Sequence, residues 1–415
     1  MISALLLSIT TALSAQHTED SGWQANPEQV SELEQERPDY LWRESKVPSY
    51  QLPDPLKSKN GSPVRTPQQW QEKRPELLNL FRTHMYGHRP GRPDRLGFNI
   101  THEDPAAMEG SATLRQVEIR SQHEGRSHSF EVILFLPNKS NGPVPVFLLI
   151  NNRDPENTDP TREVQSGFWP AEEVIARGYG IAAIQNDDLA PDDPDHYHEG
   201  VIRLFEGEES VGERSPDAWM ALSAWGWGAS RVMDYFETDQ QVDETRVALL
   251  GHSRGGKAAL WAGAEDERFS IVISNNSGSG GAALSRRKFG ETVAAVNRFT
   301  HWFAGNFDSF ENREEDLPFD QHMLLGFIAP RAVYVASAGR DLWADPRGEF
   351  LSLAHASRIY ALWNHDMIRE EEMPPLDQPL FSGPMGYHIR SGGHNLTPSD
   401  WNHFMDFADR VYSGR

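Results

Sequence analysis

The chain has 415 residues, a formal net charge of −22 and no cysteine. The charge argues against nucleic-acid binding and against attraction to an anionic membrane, since both need a basic face. The missing cysteine excludes disulfides, zinc–thiolate centres and a cysteine nucleophile. Residues 1–15 (MISALLLSITTALSA) form an apolar run ending in small residues and read as an export signal, which implies a secreted or periplasmic chain. The rival readings are a misassigned start and a short membrane tether. No later segment reaches the roughly 18 to 20 apolar residues of a membrane span. Residues 16–75 are polar and proline-rich and read as an extension packing over the main domain, with Trp42 and Tyr50 as anchors.

WQEKRPELLNLFRTHMYG reads as a helix with apolar positions at Leu77, Leu78, Leu80 and Phe81 and a stop at Gly87. Strands follow at 116–121, 129–137 and 143–151; the last is apolar throughout, as a strand covered on both faces should be. A helix at 170–178 and a strand at 179–186 come next, then an acidic stretch around Asp187 to Asp195, read as loop through residue 210. Residues 217–237 read as an aromatic-rich helix, 246–254 as a strand running into a turn, and 255–266 as a helix. Strands at 269–278, 331–339 and 385–394 and a helix at 399–414 complete the pattern. This alternation predicts a mostly parallel central sheet in a three-layer αβα sandwich. No flexible linker divides the chain, so one catalytic domain over 76–415 is expected, working as a monomer.

Between the apolar strand and the helix stands Gly251-His252-Ser253-Arg254-Gly255, which matches G-x-S-x-G in the context that motif requires and predicts the α/β-hydrolase fold. A serine in a tight strand-to-helix turn needs small neighbours, and the turn lifts its hydroxyl above the sheet. The helix behind it points free N–H groups at the reaction centre, and the Arg254 amide supplies an oxyanion donor. A serine needs a base, and in this fold acid and histidine follow it in chain order. Asp341 and His394 each lie just past a strand, at the edge where sites of open α/β sheets assemble. Asp345 and Glu349 are rivals for the acid. His388 inside a strand, His403 on a helix, and His355 and His365 in or near helical sequence read as structural.

The run GHSRGGKAALWAGAEDERF, with ISNNSGSGGAALSRR, FTHWFAGNF, LPFDQHMLLGFIAPRAVYVASAGRDLWADPRGEF and SGGHNL, resembles the glucuronoyl esterases of carbohydrate esterase family 15, over about residues 60 to 412. The resemblance implies hydrolysis of the ester between (4-O-methyl-)glucuronic acid of glucuronoxylan and lignin alcohols, with no cofactor or metal. It maps the nucleophile to Ser253, the histidine to His394, an oxyanion arginine to Arg254, and sugar-binding residues to Lys257, Glu291 and Trp343. One departure stands out. Many members carry the acid as glutamate in an E-S-G loop, where this chain reads Asn275-Asn276-Ser277-Gly278. Asparagine cannot hold a full negative charge, so the acid falls to the aspartate of D-x-W, which is Asp341.

The residues also allow plainer readings. Arg254 and Lys257 could pair with Glu265 or Asp266 along their own helix. Trp343 offers a sugar a face and one N–H, whereas Trp225, Trp227, Trp261 and Trp302 read as core or supporting residues. His301 and His322 lack ligand spacing, and the acidic loop lacks a calcium-loop pattern, so a solvated cleft rim is expected there. An acetyl- or feruloyl-xylan esterase and a non-catalytic carbohydrate-binding homologue remain as alternatives.

Overall fold

The apolar runs become strands of one ten-stranded sheet: β1 (Arg95–Asp104), β2 (Ala112–His123), β3 (Arg126–Pro137), β4 (Val144–Asn151), β5 (Gly180–Gln185), β6 (Val242–His252), β7 (Ile271–Asn275), β8 (Ala332–Ala338), β9 (Leu380–Ser382) and β10 (Met385–Arg390). The computed structural model describes residues 22–58, 61–207 and 214–414, so the export-signal reading of residues 1–15 lies outside the described residues. The strand order is β1-β2-β3-β5-β4-β6-β7-β8-β10-β9. From β5 to β10 every pairing is parallel, while β1, β2, β3 and β9 are attached antiparallel. This is the α/β-hydrolase architecture expected from the sequence.

Period-two geometry explains why β4 reads as unbroken hydrophobic sequence. Leu148 and Ile150 face one core with Leu249 and Val272. Phe147 and Leu149 face the other with Leu250 and Ile273. The first face is covered by helices Ala221–Phe236, Arg254–Glu265 and Pro346–Tyr360, the second by Ala171–Ala176 and Pro398–Ser413. At ~25 cal/mol per Å² of apolar surface removed from water, such two-sided burial is the main favourable contribution to folding.

Local sequence and structure disagree in a few places. The stretch after Asp195 is not all loop, because Val201–Glu206 is helical and buries Val201, Ile202 and Leu204. Helix Pro27–Glu36 carries one buried residue, Val30, so it shows no apolar stripe; only its cap signals it, with Asn26 Oδ1 accepting from the amides of Glu28 and Gln29. Helix Pro346–Tyr360 is buried nearly all round and equally lacks a stripe. Trp42 sits buried among Val30, Phe289 and Leu342, and Leu41 bridges to Phe289. Tyr50 packs half-buried against the main core. Among the described residues no helix is long and apolar enough to cross a membrane.

Candidate active site

Four adjacent parallel strands end at one edge of the sheet, and each delivers a side chain just past its last residue. Ser253 follows β6, Asn276 follows β7, Asp341 follows β8 and His394 follows β10. Ser253 stands at φ 56°, ψ −128°, a strained backbone for a residue with a side chain. Its amide donates to the Asn275 carbonyl at 2.8 Å, and its carbonyl accepts from the Gly256 amide at 2.9 Å. The turn is therefore fixed on both sides by backbone.

Asp341 is buried and accepts twice on Oδ2, from His394 Nδ1 at 2.6 Å and from Asn276 Nδ2 at 3.0 Å. The aspartate side chain is 5 % exposed and the imidazole 40 %, so the carboxylate is shielded while the ring faces the cleft. Asn276 thus hydrogen-bonds the aspartate, its side-chain amide donating to the carboxylate. The rivals are engaged elsewhere: Asp345 caps its helix at Gly348 and pairs with Arg287. Glu349 lies beneath the loop after β7, accepting from the amides of Ser277 (2.8 Å) and Gly278 (3.0 Å) and from the Ser337 hydroxyl (2.6 Å). The loop bearing His394 is held by Arg390, which donates to the carbonyls of Ser391, Gly393 and Asn395 and pairs with buried Asp400. His388 also bonds Asp400, inside the core.

Ser253, Arg254, Lys257, Asn276, Glu291, Asp341, Trp343 and His394 all line one cleft of about 570 Å³. Lys257 is buried and donates to Glu291 Oε2 at 2.9 Å and to the carbonyls of Ser277 and Ser279; Trp343 Nε1 donates to Glu291 Oε1 at 3.2 Å. Neither cation pairs along its helix. Glu265 is taken by Arg82 and Arg89, Asp266 by Arg268, and Arg254 pairs with Asp192 across 62 residues.

Sequence reasoning missed several parts of this site. Trp302 is no mere core residue but part of the cleft wall, with exposed Phe299 stacked on it at 3.9 Å. The arm supplies a second wall: Arg37 lies over Trp343 at 4.9 Å, Tyr40 meets it edge-on at 4.8 Å, and Gln29 Nε2 donates to the Arg340 carbonyl. His252, its ring 4.6 Å from that of His394, is buried and bonded to Asn275 Oδ1; burial, then the neighbouring His394, holds its pKa well below 6.5. No spacing rule announces these contacts.

Burial pushes the Glu349 carboxyl up to about 8; the nearby Asp341 adds to this, against its three donors. The unfolded carboxyl titrates near 4.5. Between these values the folded chain holds a proton the unfolded chain has lost, so this group's contribution to stability falls as pH rises from about 4.5 to about 8. Glu349→Gln keeps both amide bonds through Oε1 and can donate to Ser337. Denaturant titrations should show the variant gaining on wild type across that window, by the order of a few kcal/mol. Parallel curves for the two proteins from pH 5 to 8 would contradict this.

Comparison with known proteins follows from this geometry. A family model described as "Glucuronyl esterase, fungi" matches residues 119–363. A carbohydrate esterase, MZ0003, from an unknown prokaryotic organism is 38 % identical over 404 residues, covering 90 % of this chain and 93 % of its own. The chain belongs to the glucuronoyl esterase family. A 4-O-methyl-glucuronoyl methylesterase of Podospora anserina is 30 % identical over 299 residues, 69 % of this chain and 54 % of that protein. Among solved structures, a glucuronoyl esterase from Solibacter usitatus is 39 % identical with a TM-score of 0.83, over 89 % of this chain and all of that one. A promiscuous carbohydrate esterase family 15 esterase from a marine bacterial metagenome reaches 37 % and 0.81, over 90 % of this chain and 100 % of its own. The matched region of this glucuronoyl esterase family member spans Ser253 to Trp343; His394 and the arm lie outside it.

Proposed function

We propose that this glucuronoyl esterase hydrolyses the ester between the C6 carboxyl of (4-O-methyl-)glucuronic acid on xylan and a lignin alcohol, through a glucuronoyl-serine intermediate. In this reading His394 takes the Ser253 proton as the hydroxyl attacks the ester carbonyl, and Asp341 orients the imidazole and stabilises the imidazolium. Arg254 and backbone amides of the nucleophile turn receive the oxyanion. The alcohol leaves with a proton from His394, and water, activated by the same ring, releases free glucuronate. Lys257, Glu291 and Trp343 hold the sugar hydroxyls and face.

The observation that supports this reading is the shared cleft: the serine and the Asp341-bonded histidine line the same cleft as a Lys257–Glu291–Trp343 hydrogen-bonded set suited to sugar hydroxyls. We read residues 16–75 as an extension completing that cleft and 76–415 as the catalytic domain, in a monomer. We read the first fifteen residues as an export signal, which supports a location outside the cytoplasm, where a polymeric substrate is; the mature amino terminus, near Gln16, tests that. Substrate class is tested by comparing kcat/KM on methyl or benzyl glucuronate with that on an acetylated xylose. The uronate ester should be favoured by at least tenfold, since an acetyl ester leaves the buried polar groups of the sugar subsite unpaired. Faster acetyl hydrolysis would instead make the chain an acetyl-xylan esterase.

A further inference from the structure

The acidic stretch after β5 reads from the sequence as a solvated rim, yet one of its carboxylates is turned inward. Asp192 is 15 % exposed, and three donors converge on it: Arg254 Nε on Oδ2, with His301 Nε2 (2.8 Å) and Trp302 Nε1 (2.7 Å) on Oδ1. Its neighbours on the loop behave differently: Asp193 bonds His196 at the surface, and Asp187 caps the Asp192 amide at 3.0 Å. Burial alone would raise the Asp192 carboxyl; His301, Arg254 and Trp302 outweigh it and hold it below the usual carboxylate range.

Arg254 follows the serine directly, and among the described residues its other hydrogen bond runs from Nη2 to the Asn152 carbonyl at 3.1 Å. Among the described residues Nη1 has no protein partner, and the side chain lines the cleft. A free arginine side chain gives up rotamer freedom when it is ordered, at a cost in free energy. A donor that must be ordered during the reaction loses that amount from its stabilisation of the oxyanion, whereas a preorganised donor does not. One edge of the guanidinium is fixed by Asp192 and Asn152, and the open edge is left for substrate.

We propose that Asp192 is a positioning residue for the reaction: its carboxylate, anchored by His301 and Trp302, locks the Arg254 guanidinium in the orientation that receives the oxyanion. This rests on the esterase reading above. Because the pair is neutral overall, Arg254 acts as an aligned hydrogen-bond donor rather than as a free positive charge attracting anions.

The test uses the whole chain and methyl glucuronate as substrate. Turnover by wild type comes first, and its absence would overturn the esterase reading independently of Asp192. Asp192→Asn should lower kcat by about 10- to 100-fold, with KM changed less than threefold. Asp193→Asn, on the same loop, should leave both unchanged. Combining Asp192→Asn with Arg254→Ala should cost no more than Arg254→Ala alone, because the carboxylate acts only through the arginine. Guanidinium ion should restore part of the activity of Arg254→Ala when Asp192 is present, and none when it is Asn. Should Asp192→Asn fail to fold, Asp192→Glu keeps the buried charge, displaces it by one methylene and is expected to lose kcat about tenfold at an unchanged melting temperature. Independent, multiplying losses in the double variant overturn the proposal, as does guanidinium rescue without the carboxylate or a full kcat in the variant that folds.

Discussion

Asp341→Asn is expected to lower kcat on methyl glucuronate roughly a thousand- to ten-thousand-fold, and Ser253→Ala roughly a million-fold, with both proteins folded. In the proposed mechanism the serine result follows from losing the atom that attacks the substrate, and the aspartate result from losing the partner of His394. The aspartate result is the sharper test. The carboxylate oxygen Oδ2 accepts from His394 Nδ1 at 2.6 Å and from Asn276 Nδ2 at 3.0 Å, so two donors face one acceptor. An amide at 341 must either turn its NH2 toward these donors or offer its single oxygen with no charge to balance an imidazolium. Either way His394 loses the interaction that keeps its other nitrogen free to take the serine proton. The fall should appear in kcat, with single-turnover acylation slowed in parallel. Activity within tenfold of wild type would mean that another carboxylate serves the ring, and Glu349, beneath the neighbouring loop, would be the next to remove.

Gly251→Ala should destabilise the chain by more than about 4 kcal/mol, enough to leave little soluble folded protein. A Cβ at 251 would lie far inside van der Waals contact distance of the Gly255 carbonyl and 2.7 Å from the Gly256 amide nitrogen, all of it backbone that cannot swing away. Relief would require unwinding the first turn of helix Arg254–Glu265, which carries Arg254 and Lys257. Gly256→Ala makes the informative contrast. Its Cβ would meet the Gly251 carbonyl at 3.0 Å, Ser277 Cβ at 3.1 Å and Ser274 Oγ at 3.2 Å, contacts that can relax by a few tenths of an ångström. Its cost should be smaller by at least 2 kcal/mol, within the usual range for overpacking. Chemical denaturation of the two variants checks the order, and a folded Gly251→Ala with near-wild-type stability would remove the steric account of the turn.

The strands and the serine turn were legible because their signals are local. A strand covered on both faces must be apolar throughout, as in VPVFLLIN of β4, and a turn that crowds its own backbone must use glycine, as at 251. Elements without a local signal escaped. β1 is a largely exposed edge strand, and helix Pro27–Glu36 buries one residue. The choice between Asp341 and Asp345 sits between the two cases. Both lie past β8 in one short turn, and only the left-handed backbone of Asp345 (φ 51°) with its Arg287 and Gly348 contacts turns that carboxylate away.

The amino-acid sequence by itself determined strands β2 to β8 and β10, the serine turn and which residue types could do acyl transfer, since these depend on periodicity and on steric limits within a few residues. Only the tertiary structure decided that Asp192 holds Arg254, that Glu291 joins Lys257 to Trp343, and that the N-terminal extension walls the cleft through Arg37, which lies over Trp343. These contacts join residues 34 to more than 300 positions apart. They depend on the angles at which packed elements meet, and no spacing along a chain encodes such an angle.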